Sequence, residues 1–173
     1  MQNNKKTAIY TEHCCIKPFE EADIDSAIPL FTDERVREFL GGVITEDAAR
    51  EKLNKWIAPR SDNLYFSVAL KSEEFIGVIS ITPYLDTEKK EISYLFLPEY
   101  WGKGYAYESC AEIIAYCKQN LKCDSLIAET QKKNRLSRKL LERLGFSIIE
   151  EAERFGEIQY VYQLDLSISS EEI

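Results

Sequence analysis

Two glycines one residue apart, in Leu97-Pro98-Glu99-Tyr100-Trp101-Gly102-Lys103-Gly104-Tyr105-Ala106, join an apolar β-type run to a helical pattern. A strand, a glycine turn and a helix start leave several backbone N–H groups aimed at one spot, where the helix dipole also favours negative charge. The chemistry such a corner performs is phosphate binding. Gly102 and Gly104 lack Cβ atoms, so they accept positive φ and let a ligand approach the main chain. The N–H groups from Gly102 through Tyr105 to Ala106 are the expected phosphate ligands. Lys103 reads two ways, as an added charge for the phosphates or as a solvated loop lysine. Taken alone, a Gly-x-Gly turn also fits an ordinary strand-to-helix corner.

Other reactive side chains offer less. The five cysteines, Cys14, Cys15, Cys110, Cys117 and Cys123, contain no C-x-x-C pair and leave one over if paired. Neither a disulfide framework nor a zinc site is expected, and no metal is implied. Cys110 and Cys117 lie seven apart in a helical pattern, share a face and read as buried structural thiols. His13, beside Cys14 and Cys15, offers a His/Cys pair without a third, orienting group, so a structural role is expected.

The elements around the glycine corner follow from periodicity. Ala8 to Phe19 reads as a first strand ended by Pro18. Helical spacing then opens at Glu21-Ala22-Asp23, and a second run from Asp33 to Leu40 stops at Gly41-Gly42. Thr45 is the expected N-cap of a helix carrying Ala49, Leu53 and Trp56 on one face and ended by Pro59. Tyr65 to Leu70 and Phe75 to Thr82 read as a hairpin, and Glu91 to Leu97 as the strand entering the glycine corner. The helix from Gly104 to Asn120 is followed by a strand, Ser125 to Thr130. A helix from Asn134 to Leu144 is expected to bury Leu136, Leu140, Leu141 and Leu144 and to end at Gly145. Phe146 to Ile149 and Ile158 to Leu164 close the chain as an antiparallel pair. The whole is an α/β domain with a mixed, largely antiparallel sheet flanked by helices.

A chain of 173 residues, 45% of them hydrophobic, fits one domain, placed at residues 8–166 with flexible termini at 1–7 and 167–173. Charged residues interrupt every apolar run, so no membrane span is expected, and the default location is the cytoplasm. The net charge of −8 argues against nucleic-acid binding, which needs a basic surface.

The glycine corner from Tyr100 to Ala106, taken with Asn134, Ser137, Gly145 and Phe146 downstream, resembles the GNAT superfamily of N-acetyltransferases. Within it the resemblance is to the branch that acetylates ribosomal-protein N-termini, such as the ribosomal-protein-alanine acetyltransferases. The family loop reads Gln or Arg, x, x, Gly, x, Gly or Ala; Trp101 departs from it but fits a Tyr-Trp-Gly-Lys-Gly-Tyr-Ala variant. The resemblance covers about Thr11 to Asp165. It implies a single GNAT-like domain whose central β-loop-α-β-α stretch holds coenzyme A. It also implies acetyl transfer from acetyl-CoA to a primary amine by direct attack in a ternary complex.

The resemblance further implies site residues. Strands Glu91 to Leu97 and Ser125 to Thr130 should diverge, with backbone groups of Leu95, Phe96 and Leu97 bonding the pantetheine arm. Glu91, in Glu91-Ile92-Ser93-Tyr94, is the base candidate, against a reading as a surface glutamate. Ser93 stands where the branch has Gly. Ser137 is the donor to the leaving sulfur and Asn134 a pantetheine contact; both also fit a plain helix start. One of Arg135, Arg138 and Lys139 is a candidate for the adenosine 3′-phosphate. The acceptor is expected to be a protein N-terminus or a small cationic amine, attracted by acids between Glu20 and Asp47, and the protein a monomer or homodimer. A non-catalytic CoA-binding module is the alternative. Walker and Rossmann phosphate motifs are missing.

Overall fold

The first apolar run of the chain is interrupted by a threonine whose hydroxyl competes for the backbone. In the computed structural model, which describes residues 8–58, 62–85 and 87–167, the expected strand Ala8 to Phe19 is therefore two strands. β1 (Ile9–Tyr10) and β2 (Cys14–Pro18) pair antiparallel. Between them Cys14 N donates to the Thr11 hydroxyl at 2.8 Å and Thr11 N donates to Cys14 O at 2.9 Å.

The early helical region is more broken than its periodicity suggests. One 3₁₀ turn (Glu21–Asp23) leads into three four-residue helices, α1 (Ile24–Ala27), α2 (Pro29–Thr32) and α3 (Glu34–Arg37). The run expected to reach Leu40 ends at Arg37, whose carbonyl accepts from Leu40 N at 3.0 Å and Gly42 N at 3.2 Å. α4 (Glu46–Ile57) begins at its expected cap, with Ala48 N donating to Thr45 Oγ1 at 3.2 Å. It buries Ala49 and Leu53, and Trp56 stacks on Tyr65 at 4.5 Å between ring centroids. Pro59 lies outside the described residues.

β3 (Leu64–Leu70), β4 (Phe75–Pro83) and β5 (Lys90–Phe96) follow as an antiparallel meander. Next come α5 (Tyr105–Asn120), β6 (Ser125–Gln131), α6 (Arg135–Arg143), β7 (Ser147–Arg154) and β8 (Glu157–Asp165). The sheet order is β1-β2-β3-β4-β5-β6-β8-β7, and β5 with β6 is its parallel pair. Phe155 and Gly156 both take positive φ, at 56° and 74°, which matches the twist a two-residue hairpin between β7 and β8 requires.

Strand alternation then sorts the core into two layers. On one face Ile92 and Phe96 of β5 and Leu126 and Ala128 of β6 pack with Cys110, Ile113 and Cys117 of α5 and Leu141 of α6. On the other, Leu95 and Leu97 lie against the core of α1, α2 and α4, and Tyr84, Ile127 and Val161 form a smaller floor beside it. Cys110 and Cys117 are fully buried as expected. Burial pushes both thiols up, Cys117 to about 12, which leaves neither nucleophilic near neutral pH.

Leu136 is 67% exposed rather than buried. The inward stripe of α6 runs through Ser137, Leu141 and Leu144, and Leu136 stands one residue, about 100°, off it. Gly145 ends the helix at φ 92°, with Phe146 N donating to Leu141 O at 3.0 Å. Ser167, expected in a frayed tail, donates from N and Oγ to Asp165 at 2.8 and 2.6 Å; residues 1–7 and 168–173 lie outside the described set. Among the described residues no helix is long and apolar enough to cross a membrane.

Candidate active site

The parallel pair is short: β5 and β6 are in register only at Lys90 with Leu126 and Glu91 with Ile127. Beyond Glu91 the two strands part, opening a slot between them. Leu97 N donates to Ile76 O at 2.9 Å, and antiparallel bonding alternates, so Leu95 and Leu97 direct their backbone groups to β4. The groups facing the slot belong to Ile92, Tyr94 and Phe96. This corrects the expectation for Leu95 and Leu97, since Leu97 O is also taken, by Tyr100 N at 3.0 Å. Phe96 faces the slot, but its carbonyl already accepts from Trp101 Nε1 at 2.8 Å. That bond ties the glycine corner to the strand, and the Gly-x-Gly pattern did not reveal it.

At the mouth of the slot, Gly102 and Gly104 take φ of 72° and 88°, and a Cβ on either would meet nothing within 4 Å. Their role is conformational, and the space in front of them is open. Gly104 is the N-cap of α5 and supplies no side chain, so the N–H groups of Tyr105, Ala106 and Tyr107 lack a side-chain cap; the first intrahelical bond is Glu108 N to Gly104 O at 3.0 Å. α4 and α6, by contrast, are capped by Thr45 and Asn134. Lys103 is exposed, with its ammonium 5.5 Å from the Tyr100 ring centre.

Asn134 Oδ1 accepts from Ser137 N at 3.1 Å, the N-cap arrangement. Ser137 Oγ, on α6, lies 2.8 Å from Tyr94 Oη on one face of the sheet. Burial pushes the Tyr94 phenol far above its usual value, so it stays protonated and can donate. Tyr94, which ends the Glu91-Ile92-Ser93-Tyr94 run, thereby joins the candidate site residues, and no motif in the sequence marks it.

Glu91 sits on the opposite face from Tyr94 and Ser137, over Ile127. Its carboxyl is raised to about 7 by burial first and by the Glu129 carboxylate second, with Arg154 pulling the other way. A carboxylate near 7 exchanges protons at physiological pH.

Arg138 is folded inward, donating to Lys132 O at 3.1 Å and lying 5.0 Å from the Tyr160 ring centre; Arg135 and Lys139 are exposed. Arg143 is brought to the α5 start, where with Glu12, Gly104, Tyr107 and Glu108 it lines a depression of about 400 Å³. Asp23, Asp25 and Asp33 already pair with Lys17, Arg50 and Arg35, at 3.3, 2.8 and 2.6 Å, so the early acids carry less free charge than their number suggests. His13 Nδ1 contacts Glu108 Oε2 at 2.9 Å, a structural tie from the β1–β2 turn to α5.

This architecture and sequence have clear relatives. The acetyltransferase (GNAT) domain family matches residues 13–147. A Bacillus subtilis (strain 168) protein named uncharacterized N-acetyltransferase YnaD is 31% identical over 140 residues, 79% of this chain and 81% of its own. Among solved structures, a GNAT-family acetyltransferase from Bacillus anthracis superimposes with a TM-score of 0.82 at 25% identity, covering 94% of this chain and all of that one. The fold is also shared with spermidine N-acetyltransferase of Vibrio cholerae, solved with CoA and spermine, at a TM-score of 0.78 and 18% identity over 89% of this chain and 96% of that one. The chain belongs to the GNAT acetyltransferases and is an acetyltransferase enzyme.

Proposed function

We propose that the protein transfers an acetyl group from acetyl-CoA to a primary amine by direct attack in a ternary complex. The observation that carries this reading is the slot between β5 and β6, flanked by Glu91 on one face and the Tyr94–Ser137 hydroxyl pair on the other. The residues fit the cofactor: open space before two positive-φ glycines and an uncapped α5 start suit a pyrophosphate. The slot-facing backbone of Tyr94, with the N–H of Phe96, suits an amide-bearing arm. When bound, acetyl-CoA supplies the reactive acetyl thioester.

Glu91 accepts the proton that the acceptor ammonium must lose before its nitrogen can attack. The hydroxyl pair, with Tyr94 held neutral, delivers a proton to the departing sulfur through Ser137. Asn134 fixes Ser137 by capping α6. The acceptor class is a protein α-amino group or a small cationic amine, and the proposed setting is the cytoplasm. Fold-sharing proteins named for ribosomal-protein S5 alanine and for spermidine support both acceptor types.

The test is calorimetric binding of acetyl-CoA, followed by thiol release over a panel of N-terminal peptides and polyamines. Binding with turnover of at least one amine, lost in Glu91→Gln, is the expected result. Binding without turnover over the whole panel would refute the proposed acceptor class.

A further inference from the structure

The β7–β8 hairpin carries an arginine that reaches back to β6. Arg154, the last residue of β7, forms an ion pair with Glu129 of β6 whose side chains are only 26% and 14% exposed. A surface pair such as Arg50 with Asp25 is 49% and 82% exposed. Tyr84 closes the network: its hydroxyl accepts from Arg154 Nη1 at 3.0 Å and donates to Glu129 Oε2 at 3.3 Å. Through Tyr84 the ion pair joins the small apolar cluster of Tyr84, Ile127 and Val161. Ile127 is the register partner of Glu91, so Glu91 lies beside this network on the same face.

The division of labour between the two carboxylates follows from their partners. Glu129 is committed to Arg154 and Tyr84, whereas among the described residues the Glu91 carboxylate accepts no hydrogen bond. The charged groups acting on Glu91 are Glu129 from β6 and Arg154 from β7; Tyr84, from the segment after β4, bonds to both of them, and Lys89, two residues before Glu91, is drawn to Gln163 of β8 at 2.8 Å. Burial in this low-dielectric corner makes each of these fixed charges count more than it would in water.

We propose that Arg154 is a positioning residue for acceptor deprotonation, pinning Glu129 beside Glu91 so that the pair's two fixed charges govern when Glu91 takes the amine proton. The inference rests on the reading of Glu91 as the base. Glu129 repels the charged form of Glu91 and Arg154 attracts it, so removing one or the other must act in opposite directions.

The experiment is a ¹³C titration of glutamate side-chain carboxyls in the free protein, with Glu91→Gln used to assign the Glu91 resonance. Arg154→Gln is expected to raise the Glu91 midpoint and Glu129→Gln to lower it, each on the order of half to one pH unit. Arg154→Lys, which keeps the cation, should restore the wild-type midpoint. The acid limb of kcat/KM for the best amine should follow the same shifts. Shifts in the same direction, or midpoints that stay within about 0.2 pH unit, would overturn the proposal. If Arg154→Gln does not fold, Glu129→Gln alone decides, since it must lower the midpoint. Failure of the base reading shows differently, as an unchanged rate in Glu91→Gln.

Discussion

Replacing Glu91 with glutamine should stabilise the protein, and by more as the pH rises. In the folded state the carboxyl is raised from 4.5 to about 7, so the native chain binds this proton more tightly than the unfolded chain does. Raising the pH through that window therefore strips a proton the fold prefers to keep, and stability falls. Below 4.5 both states are protonated and nothing is lost; above 7 the full cost is present. At about 1.4 kcal/mol per pH unit, the penalty reaches about 3 kcal/mol at pH 8.5, where the native carboxyl is ionised, and is about 1 kcal/mol at pH 5, where only the unfolded chain has largely released the proton. Glutamine keeps the shape without the charge. For a domain of this size a gain of 3 kcal/mol corresponds to roughly 6–12 °C in Tm. Urea melts of both proteins at pH 5 and pH 8.5, with unchanged slope, measure the difference. A glutamine variant no more stable than wild type at pH 8.5, or a difference that does not grow with pH, would refute the burial argument. A residue that weakens the fold in its working protonation state is what a tuned base requires.

Three further outcomes follow from the geometry. Gly104→Val places a β-branched residue at φ 88°, a conformation costing it on the order of 1–2 kcal/mol, and puts methyl groups in front of the α5 start; circular dichroism should remain native while calorimetry shows acetyl-CoA affinity falling at least tenfold. Ser137→Ala should lower kcat more than it changes acetyl-CoA affinity, and Tyr94→Phe should do the same, because in the proposed mechanism both groups act on charge that grows at the sulfur; an effect confined to KM would reassign them to binding. Trp101→Phe removes the bond to Phe96 O, about 1 kcal/mol, and should weaken acetyl-CoA binding by roughly fivefold in the same calorimetric assay, with little change in kcat.

What the sequence disclosed was local. Thr45 and Asn134 cap the helices they precede, Gly102 and Gly104 turn with positive φ, and the last two strands form a hairpin, because each depends on a few neighbouring residues. What it concealed depends on partners distant in the chain. Whether Leu97 or Phe96 offers its backbone to the slot is decided by the register with Ile76, set by β4 rather than by β5. Leu136 carries the right side chain for a core position but falls off the inward stripe once Asn134 fixes where α6 begins. Arg154 and Glu129 are 25 residues apart with no motif linking them, and only the sheet order β6-β8-β7 brings them together.

Under the proposed roles, one strand carries both proton transfers. Alternation along β5 turns Glu91 to one face of the sheet and Tyr94 to the other, three residues later. Their environments push both proton affinities up, but by different amounts and to different ends: Glu91 stops near 7 and can accept, while Tyr94 stays protonated throughout the working range and can only donate. An amine approaching from the Glu91 face therefore loses its proton on one side of the sheet, and the sulfur gains one on the other. For the reacting atoms to lie between the two groups, β5 and β6 must be unpaired at Tyr94. Had the parallel register continued past Glu91 with Ile127, the Tyr94 backbone would bond to β6 and the two faces would be sealed from each other. Ending that pairing where Glu91 stands places the base at the edge of the opening, the position from which it can reach an amine entering the slot.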